Sequence, residues 1–252
     1  MLTGLITRSA ALLQMVCFSA AVAVFSSACV AEESISVRLE AAAKLVDEGN
    51  YKLAIVNYLD PIISEFELKY PVTRFKIYGA RSQSEPLLYL LESAADKDSG
   101  RQENSASTEN KDGITAIVLN TDWGDSYYLK GFALVAMQHY PEAQEVLAKA
   151  VALSPQNSYY LAEYAYAHIA NGQFSQGLEW ALKAESASAF SPEAVKREEK
   201  GRALRHAGYA LIELGRLDEA EKKYKACLKL DKNDEKAKNE LNYIKQLRAK
   251  KS

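Results

Sequence analysis

Residues 127–155 read YYLKGFALVAMQHYPEAQEVLAKAVALSP, and this stretch decides the fold. Gly131, Ala143 and Pro155 fall at twelve-residue intervals within it. Gly208 and Ala220 repeat the interval in GYALIELGRLDEAEKKYKACLKLD, and Ala165, Gly177 and Ala184 hold the same places between the two. Small residues so spaced let two short antiparallel helices cross closely. Units of this kind stack into a solenoid that buries a continuous core and offers a surface rather than a reaction centre. The expected fold class is therefore all-α, a solenoid of antiparallel helix pairs.

Working outward, one repeat covers 124–157, with Tyr127, Lys130, Gly131 and Leu134 in its first helix and Pro141 opening its second. Ala143, Leu147, Ala150 and Pro155 follow, and Lys130 is the poor fit, standing where an apolar residue is usual. The next repeat starts near Ser158, with Leu161, Tyr164, Ala165 and His168, a turn at Gly172, then Gly177, Ala181 and Ala184. Ser191-Pro192-Glu193 reads as a helix start, Ser capping and Pro in the first turn. The last full repeat uses Leu204, Ala207, Gly208, Leu211, Gly215, Ala220, Tyr224 and Cys227. Asp234 then opens a final helix with Ala237, Leu241, Ile244 and Leu247 on one face and Lys and Glu on the other, the pattern of a polar cap.

Upstream the pattern weakens. In 35–68, Leu39, Ala42, Ala43 and Val46 share a helix face, Gly49-Asn50 ends it, and Ala54 and Tyr58 begin a second helix that Pro61 is expected to kink or shorten. In 70–95, Phe75, Tyr78 and Gly79 suggest a first helix, and Pro86 with Leu87, Leu88, Leu90 and Leu91 a second. Residues 96–112, DKDSGRQENSASTENKD, are too polar to offset the entropy of ordering and read as a flexible insertion. Ile114 to Leu119 reads as a short helix rejoining the array. The domain plan is thus 1–31 a signal segment, 32–95 degenerate repeats, 96–112 the insertion, 113–232 the regular array and 233–252 a capping helix with a basic tail.

The signal segment rests on Arg8, the apolar run from Ala10 to Phe25, and small residues before Glu32, the layout of a secretory signal. Cleavage is expected after Ala28 or Ala31. Alternatively Ala28-Cys29 resembles the end of a lipoprotein box, with Ser26 where Leu is usual, and Cys29 would carry a lipid. Localisation is then periplasmic, or lipid-anchored in the envelope. The chain has 31 basic and 33 acidic residues, so no global field argues for nucleic acid. Cys17 and Cys29 lie in the signal region, and Cys227 alone supports no disulfide framework.

These residues resemble the tetratricopeptide repeat, a helix–turn–helix unit of about 34 residues with the signature W-x2-L-G-x2-Y, A-x3-F, P. The resemblance is to exported bacterial members in particular; it is specific over 124–232 and weaker over 35–95. It implies a scaffold for protein–protein contacts. In this family the first helix of each repeat lines a concave groove through fixed positions. These correspond to Asp125, Tyr128, Phe132 and Val135, then Tyr159, Ala162, Tyr166 and Ile169, then Arg202, Arg205, Tyr209 and Ile212. Such a groove, rich in rings and with two guanidinium groups at one end, would seat a peptide. The alternative is that several of these rings pack between helices, and that the convex face or the 96–112 insertion stabilises an assembly. Some family members clamp a C-terminal carboxylate with Lys and Asn in their first repeats; here Tyr128 and Phe132 stand at those places, so no clamp is expected.

No catalytic motif is present: no nucleophile elbow, no phosphate-binding glycine loop, no HExxH. His139, His168 and His206 lack partners at metal-ligand spacing. The expectation is a non-enzyme without cofactor or metal. The basic ending KQLRAKKS reads as a solvated cap face.

Overall fold

The computed structural model describes residues 33–71, 75–81, 85–91 and 115–250. The expected signal segment, with Cys29, and the polar insertion 96–112 lie outside the described residues. The first pair is α1, Ile35–Asp47, and α2, which runs from Tyr51–Ala54 through a π-helical turn, Ile55–Leu59, into Asp60–Lys69. The array follows as α3 (Asp122–Ala136), α4 (Tyr140–Leu153), α5 (Ser158–Ala170), α6 (Phe174–Ala187), α7 (Glu193–Glu213), α8 (Leu217–Leu230) and α9 (Glu235–Ala249). This is the helical solenoid the spacing predicts.

One turn chemistry recurs between the two helices of each pair. The residues at the turns are Gly49, Gln138, Gly172 and Gly215, with φ of 77°, 64°, 74° and 73°. Each sends its amide three residues back, and the next amide reaches five residues back, as in Gly215 N–H to Ile212 C=O at 2.9 Å and Arg216 N–H to Leu211 C=O at 2.8 Å. These are the left-handed helix endings that satisfy orphan carbonyls. The same motif at Gly49 joins α1 to α2. Behind each turn the helices cross on small residues. A Cβ on Gly131 would overlap the Leu147 side chain, and one on Gly208 would stand 2.7 Å from the Tyr224 ring.

Pro61 does not shorten α2, which continues to Lys69. The amide of Asp60 reaches back to Ile55 C=O across a wider π turn. The ladder is opened there, one turn ahead of the proline that cannot donate to it. Lys130 also gains a reason: its ammonium meets Asp60 at 2.8 Å, tying α3 to α2.

The expectation of helix at 75–79 and 115–119 is corrected, while that of a helix opened by Pro86 agrees with the helical residues 85–91. Phe75–Gly79 is a strand, β1, paired in parallel with a second, β2, Thr115–Leu119, in the register Phe75↔Thr115 to Gly79↔Leu119. The sequences FKIYG and TAIVL are rich in β-branched and aromatic residues, which suit a pleated surface better than a helix. Residues 85–91 are helical. Gly79 is not a helix-crossing glycine. Its carbonyl accepts the Ser154 hydroxyl at 2.7 Å, and an added Cβ would lie 3.0 Å from that oxygen, so the strand end presses on the end of α4.

Ser191 is likewise not a cap. Its hydroxyl donates to Glu199 at 2.5 Å, and α7 starts on backbone bonds from Val195 and Lys196 to Pro192 C=O. Asp234 does cap α9, accepting the Ala237 amide at 3.0 Å. The core has an N-terminal cluster around Ile62, Phe66, Trp123, Tyr127 and Leu147 and a C-terminal cluster around Leu204, Leu211, Tyr224 and Ile244.

Candidate functional site

The first helices of successive pairs, α3, α5, α7 and α9, lie side by side, and their shared face carries the expected groove positions. The structure splits those positions into two groups. On α3 the face is filled. Tyr128 is 7% exposed, its ring stacked on Tyr160 at 5.7 Å and packed against Tyr159 at 4.6 Å. Burial pushes its phenol far above the ordinary value. Val135 is buried, and Phe132 is half-buried against the α1–α2 pair. Ala162, Ile169 and Ile212 are buried as well. Tyr128 and Val135, expected to face a partner, are therefore core.

On α5, α7 and α9 the face is open. Tyr166 is 40% exposed and Tyr209 42%. Tyr243 on α9, 45% exposed, joins them. It escapes a reading that attends only to the buried side of the last helix. The signal is nonetheless in the sequence: 34 residues separate Phe132 from Tyr166 and Tyr209 from Tyr243, one repeat length in each case. Burial first, then Glu213 and Glu240, hold the Tyr209 phenol above its usual value. Burial and then Glu213 raise the Glu240 carboxyl. The His206 ring stacks on Tyr166 at 5.2 Å. Burial, with Arg202, Arg205 and Lys236 nearby, pushes its pKa down to about 3, so it stays a neutral platform.

The two arginines do not act as a pair. The Arg202 guanidinium lies over the Tyr159 ring, 4.4 Å from its centroid, and meets Glu198 at 3.3 Å and Glu163 at 3.9 Å. Arg205 turns to Asp234 at 2.8 Å and braces the start of α9. Glu163 is a buried carboxyl that the sequence reading passed over, although it is the lone acid in α5. Burial pushes its pKa up to about 7 against the pull of Arg202.

Asp125 is turned away from the open face. It accepts the Tyr160 hydroxyl at 2.5 Å, and burial raises its pKa. It lines a cavity of about 280 Å³ with Arg81, Asn157, Tyr159 and Glu199. Arg81 comes from the segment after β1 and reaches Glu199 at 2.7 Å, so the inserted strands are pinned to α7 at the edge of the groove.

The other reactive side chains are absorbed by packing. Cys227 is buried, and burial pushes its thiol up to about 12. His168 packs against Tyr164 at 4.7 Å and bonds Gln173 at 2.6 Å. Among the described residues no group of three or more His, Cys, Asp or Glu is placed to hold a metal ion.

Two family models of the tetratricopeptide repeat match the chain, over residues 124–157 and 201–234, which are α3–α4 and the pair formed by α7 and α8. The chain thus contains tetratricopeptide repeats. Solved structures with a similar fold include the first such domain of Spaghetti (RPAP3) bound to the HSP90 peptide SRMEEVD, at 24% identity and a TM-score of 0.46, covering 52% of this chain and 97% of that one. The first domain of the human RPAP3 protein matches at 24% identity and a TM-score of 0.47, with the same coverage. The Arabidopsis OM64 domain matches at 21% identity and 0.44, covering 50% and 97%. No curated protein matches the chain.

Proposed function

We propose that this chain is a non-catalytic interaction scaffold and that the open half of its concave face, from Tyr159 to Tyr243, seats an extended segment of a protein partner. One observation carries the reading. Three tyrosines at equivalent places on neighbouring helices stay exposed in a fold that buries Tyr89, Tyr160 and Tyr224 almost completely. Exposed rings in a row supply rigid contact area at low entropic cost, and clustered apolar surface marks interaction sites. The test is the double variant Tyr166→Ser with Tyr209→Ser. It is expected to lose the native partner in pull-down from cell extract while melting near the parent temperature. Retention of the partner would refute the reading.

The layout of 1–31 supports export, so the scaffold would work in the periplasm, or on a membrane face if Cys29 carries a lipid. Intact mass of the protein from its native host separates these: an N-terminus after Ala28 or Ala31, or a lipid on Cys29. An intact Met1 would contradict export.

A second reading has its own observation. The second helices α4 and α6 border a groove of about 710 Å³, lined by Val151, Pro155, Leu161, Trp180, Leu182 and Phe190. Leu182 and Phe190 are exposed. A partner subunit seated there would make the protein an assembly-stabilising component with no peptide in the concave face. Leu182→Lys with Phe190→Lys would then abolish partner binding, and the tyrosine variant would not.

A further inference from the structure

The inserted strands leave one edge unpaired, and the backbone geometry says which one. The amide of Ala80 donates to Leu119 C=O at 3.0 Å, beside the parallel pair Gly79↔Leu119. In a strand the N–H and C=O of one residue share a side, and the next residue turns its own the opposite way. Thr115, Ile117 and Leu119 therefore address β1, while Ala116 and Val118 point their backbone groups away from it. On β1 the outward residues are Phe75, Ile77 and Gly79. There the edge meets α4, since Gly79 C=O accepts the Ser154 hydroxyl at 2.7 Å. β2 has no such neighbour. Among the described residues the sheet has two strands, and no hydrogen bond reaches the outward backbone groups of Ala116 or Val118.

Both faces of the sheet are in use. Ile77 belongs to the N-terminal core cluster, and Ile117 and Leu119 pack against it. On the opposite face Tyr78 stacks on Tyr89 at 4.9 Å, so the helical residues 85–91 cover β1 there. Ala116 and Val118 are half-buried, and Leu87, Leu90 and Leu91 of the short helix are exposed. Two strands alone are marginal, and parallel pairing is slightly weaker than antiparallel. The free edge of β2 is where this unit gains most from one more strand.

A second copy of the chain suits that edge. Edges that stay single are usually guarded by Lys, Pro or a bulge. Thr115–Leu119, TAIVL, has no Lys or Pro, and its register with β1 is unbroken. Pairing about a twofold axis sets a strand against itself, so any charge in it would meet its own kind. β2 carries none. With Ile117 on the axis, Ala116 stands opposite Val118 of the second copy, and Val118 opposite Ala116. These are the residues whose backbone groups point outward, so each pair exchanges both N–H···O bonds. The two Ile117 residues form the close, non-hydrogen-bonded pair, about 4.5 Å apart at Cα. The single cation of either strand is Lys76 on β1, over the Tyr78 ring at 5.6 Å. Its two copies would lie at least three strand spacings apart, about 14 Å, beyond the screening length of about 8 Å.

We propose that β2 is a dimerisation edge: two copies of the chain pair antiparallel through it, Ala116 opposite Val118 about a twofold axis at Ile117, and join their inserted strands into one continuous sheet. The dimer carries two concave faces, so a partner with two matching segments is held by both.

The experiment is light scattering coupled to gel filtration on the full chain, with hydrogen exchange resolved to single amides. The parent is expected to show about twice the 27.9 kDa of one chain at concentrations on the order of 100 μM, and to dissociate on dilution. The Ala116 and Val118 amides should exchange about tenfold or more slowly in the concentrated sample than in the dilute one. Val118→Pro removes an outward N–H and no bond to β1, so it should give a monomer with the parent's circular dichroism. Ala116→Lys with Val118→Lys should also give a monomer, through like charges set opposite each other. Ala116→Lys with Val118→Glu should dimerise, because each new cation then faces a new carboxylate. A parent that is monomeric at that concentration overturns the proposal, and so does a dimer that survives both Val118→Pro and the two-lysine change. A Lys and Glu variant as monomeric as the two-lysine one overturns the antiparallel twofold register. Loss of the dimer in the Tyr166→Ser, Tyr209→Ser variant would put the contact on the concave face and overturn it as well.

Discussion

The α3 part of the concave face and the part formed by α5, α7 and α9 start from similar sequence and end differently. Position for position, Tyr128 and Phe132 look as suited to a partner as Tyr166 and Tyr209. Yet Tyr128 is sealed under Tyr159 and Tyr160, and Phe132 leans on the first helix pair. The difference lies in what each helix meets. α3 packs against α1 and α2 and against the edge where the inserted strands attach, so its rings find apolar neighbours within the chain. Past α5 no such addition among the described residues covers the face. A residue's place in a repeat says which way it points, and only its neighbours decide whether it is buried there.

The contrast breaks most visibly in stability. Tyr128→Ala is expected to cost about 3–5 kcal/mol, as truncation of a buried aromatic does. Tyr209→Ala is expected to cost about 1 kcal/mol or less, because the ring already faces solvent. Paired denaturant melts check this, and equal losses would erase the distinction between the two halves.

Glu163 sharpens the comparison at the seam between the halves. Its folded pKa of about 7 lies above the unfolded carboxyl value of about 4.3. The folded state therefore holds this proton more tightly. The associated stability is fully present below about pH 4.3 and is lost as pH rises through about 7, on the order of 3–4 kcal/mol in all. Glu163→Gln should remove this component, so the variant gains on the parent between pH 5 and pH 8 by about 2–3 kcal/mol. Chemical denaturation at several pH values would show it, and parallel parent and variant curves would contradict it.

Gly131 tests whether the filled half is as tightly crossed as the open one. Gly131→Leu and Gly208→Leu should each cost about 2 kcal/mol or more, since the new side chains would run into Leu147 and Tyr224. Loss at one site and not the other would show that the two crossings differ. The smallest effect concerns the turn between α3 and α4. Gln138 holds the left-handed conformation that glycine holds at the other three turns. Gln138→Gly should therefore stabilise by about 1 kcal/mol, visible as a modest rise in Tm.

Much of this was legible in the sequence. Gly172 and Gly215 mark turns that need positive φ, and Gly131, Ala143 and Gly208 mark crossings that need small residues. Both demands are local and repeat with the unit. What escaped is not local. The pairing of Phe75–Gly79 with Thr115–Leu119 joins segments separated by a long connection, and five-residue apolar runs read as helix or strand with equal ease. Ser191 carries a good cap signature, but a buried Glu199 claims its hydroxyl. Arg202 and Arg205 share a helix face in sequence, yet Asp234 from the next helix draws one of them away. Tyr243 was within reach of the repeat length alone, had the last helix been counted as a first helix rather than as a cap.

The central claim is that the open half of the concave face is where this protein meets its partner. A photoreactive amino acid can be placed singly in the native host at Tyr209, at Tyr243, at the filled position Tyr128 and at Leu182 on the outer face, followed by irradiation and mass analysis. The account predicts covalent adducts to another protein from Tyr209 and Tyr243, and none from Tyr128 or Leu182. Adducts from Leu182 with none from Tyr209 or Tyr243 would contradict it and move the interface to the outer groove.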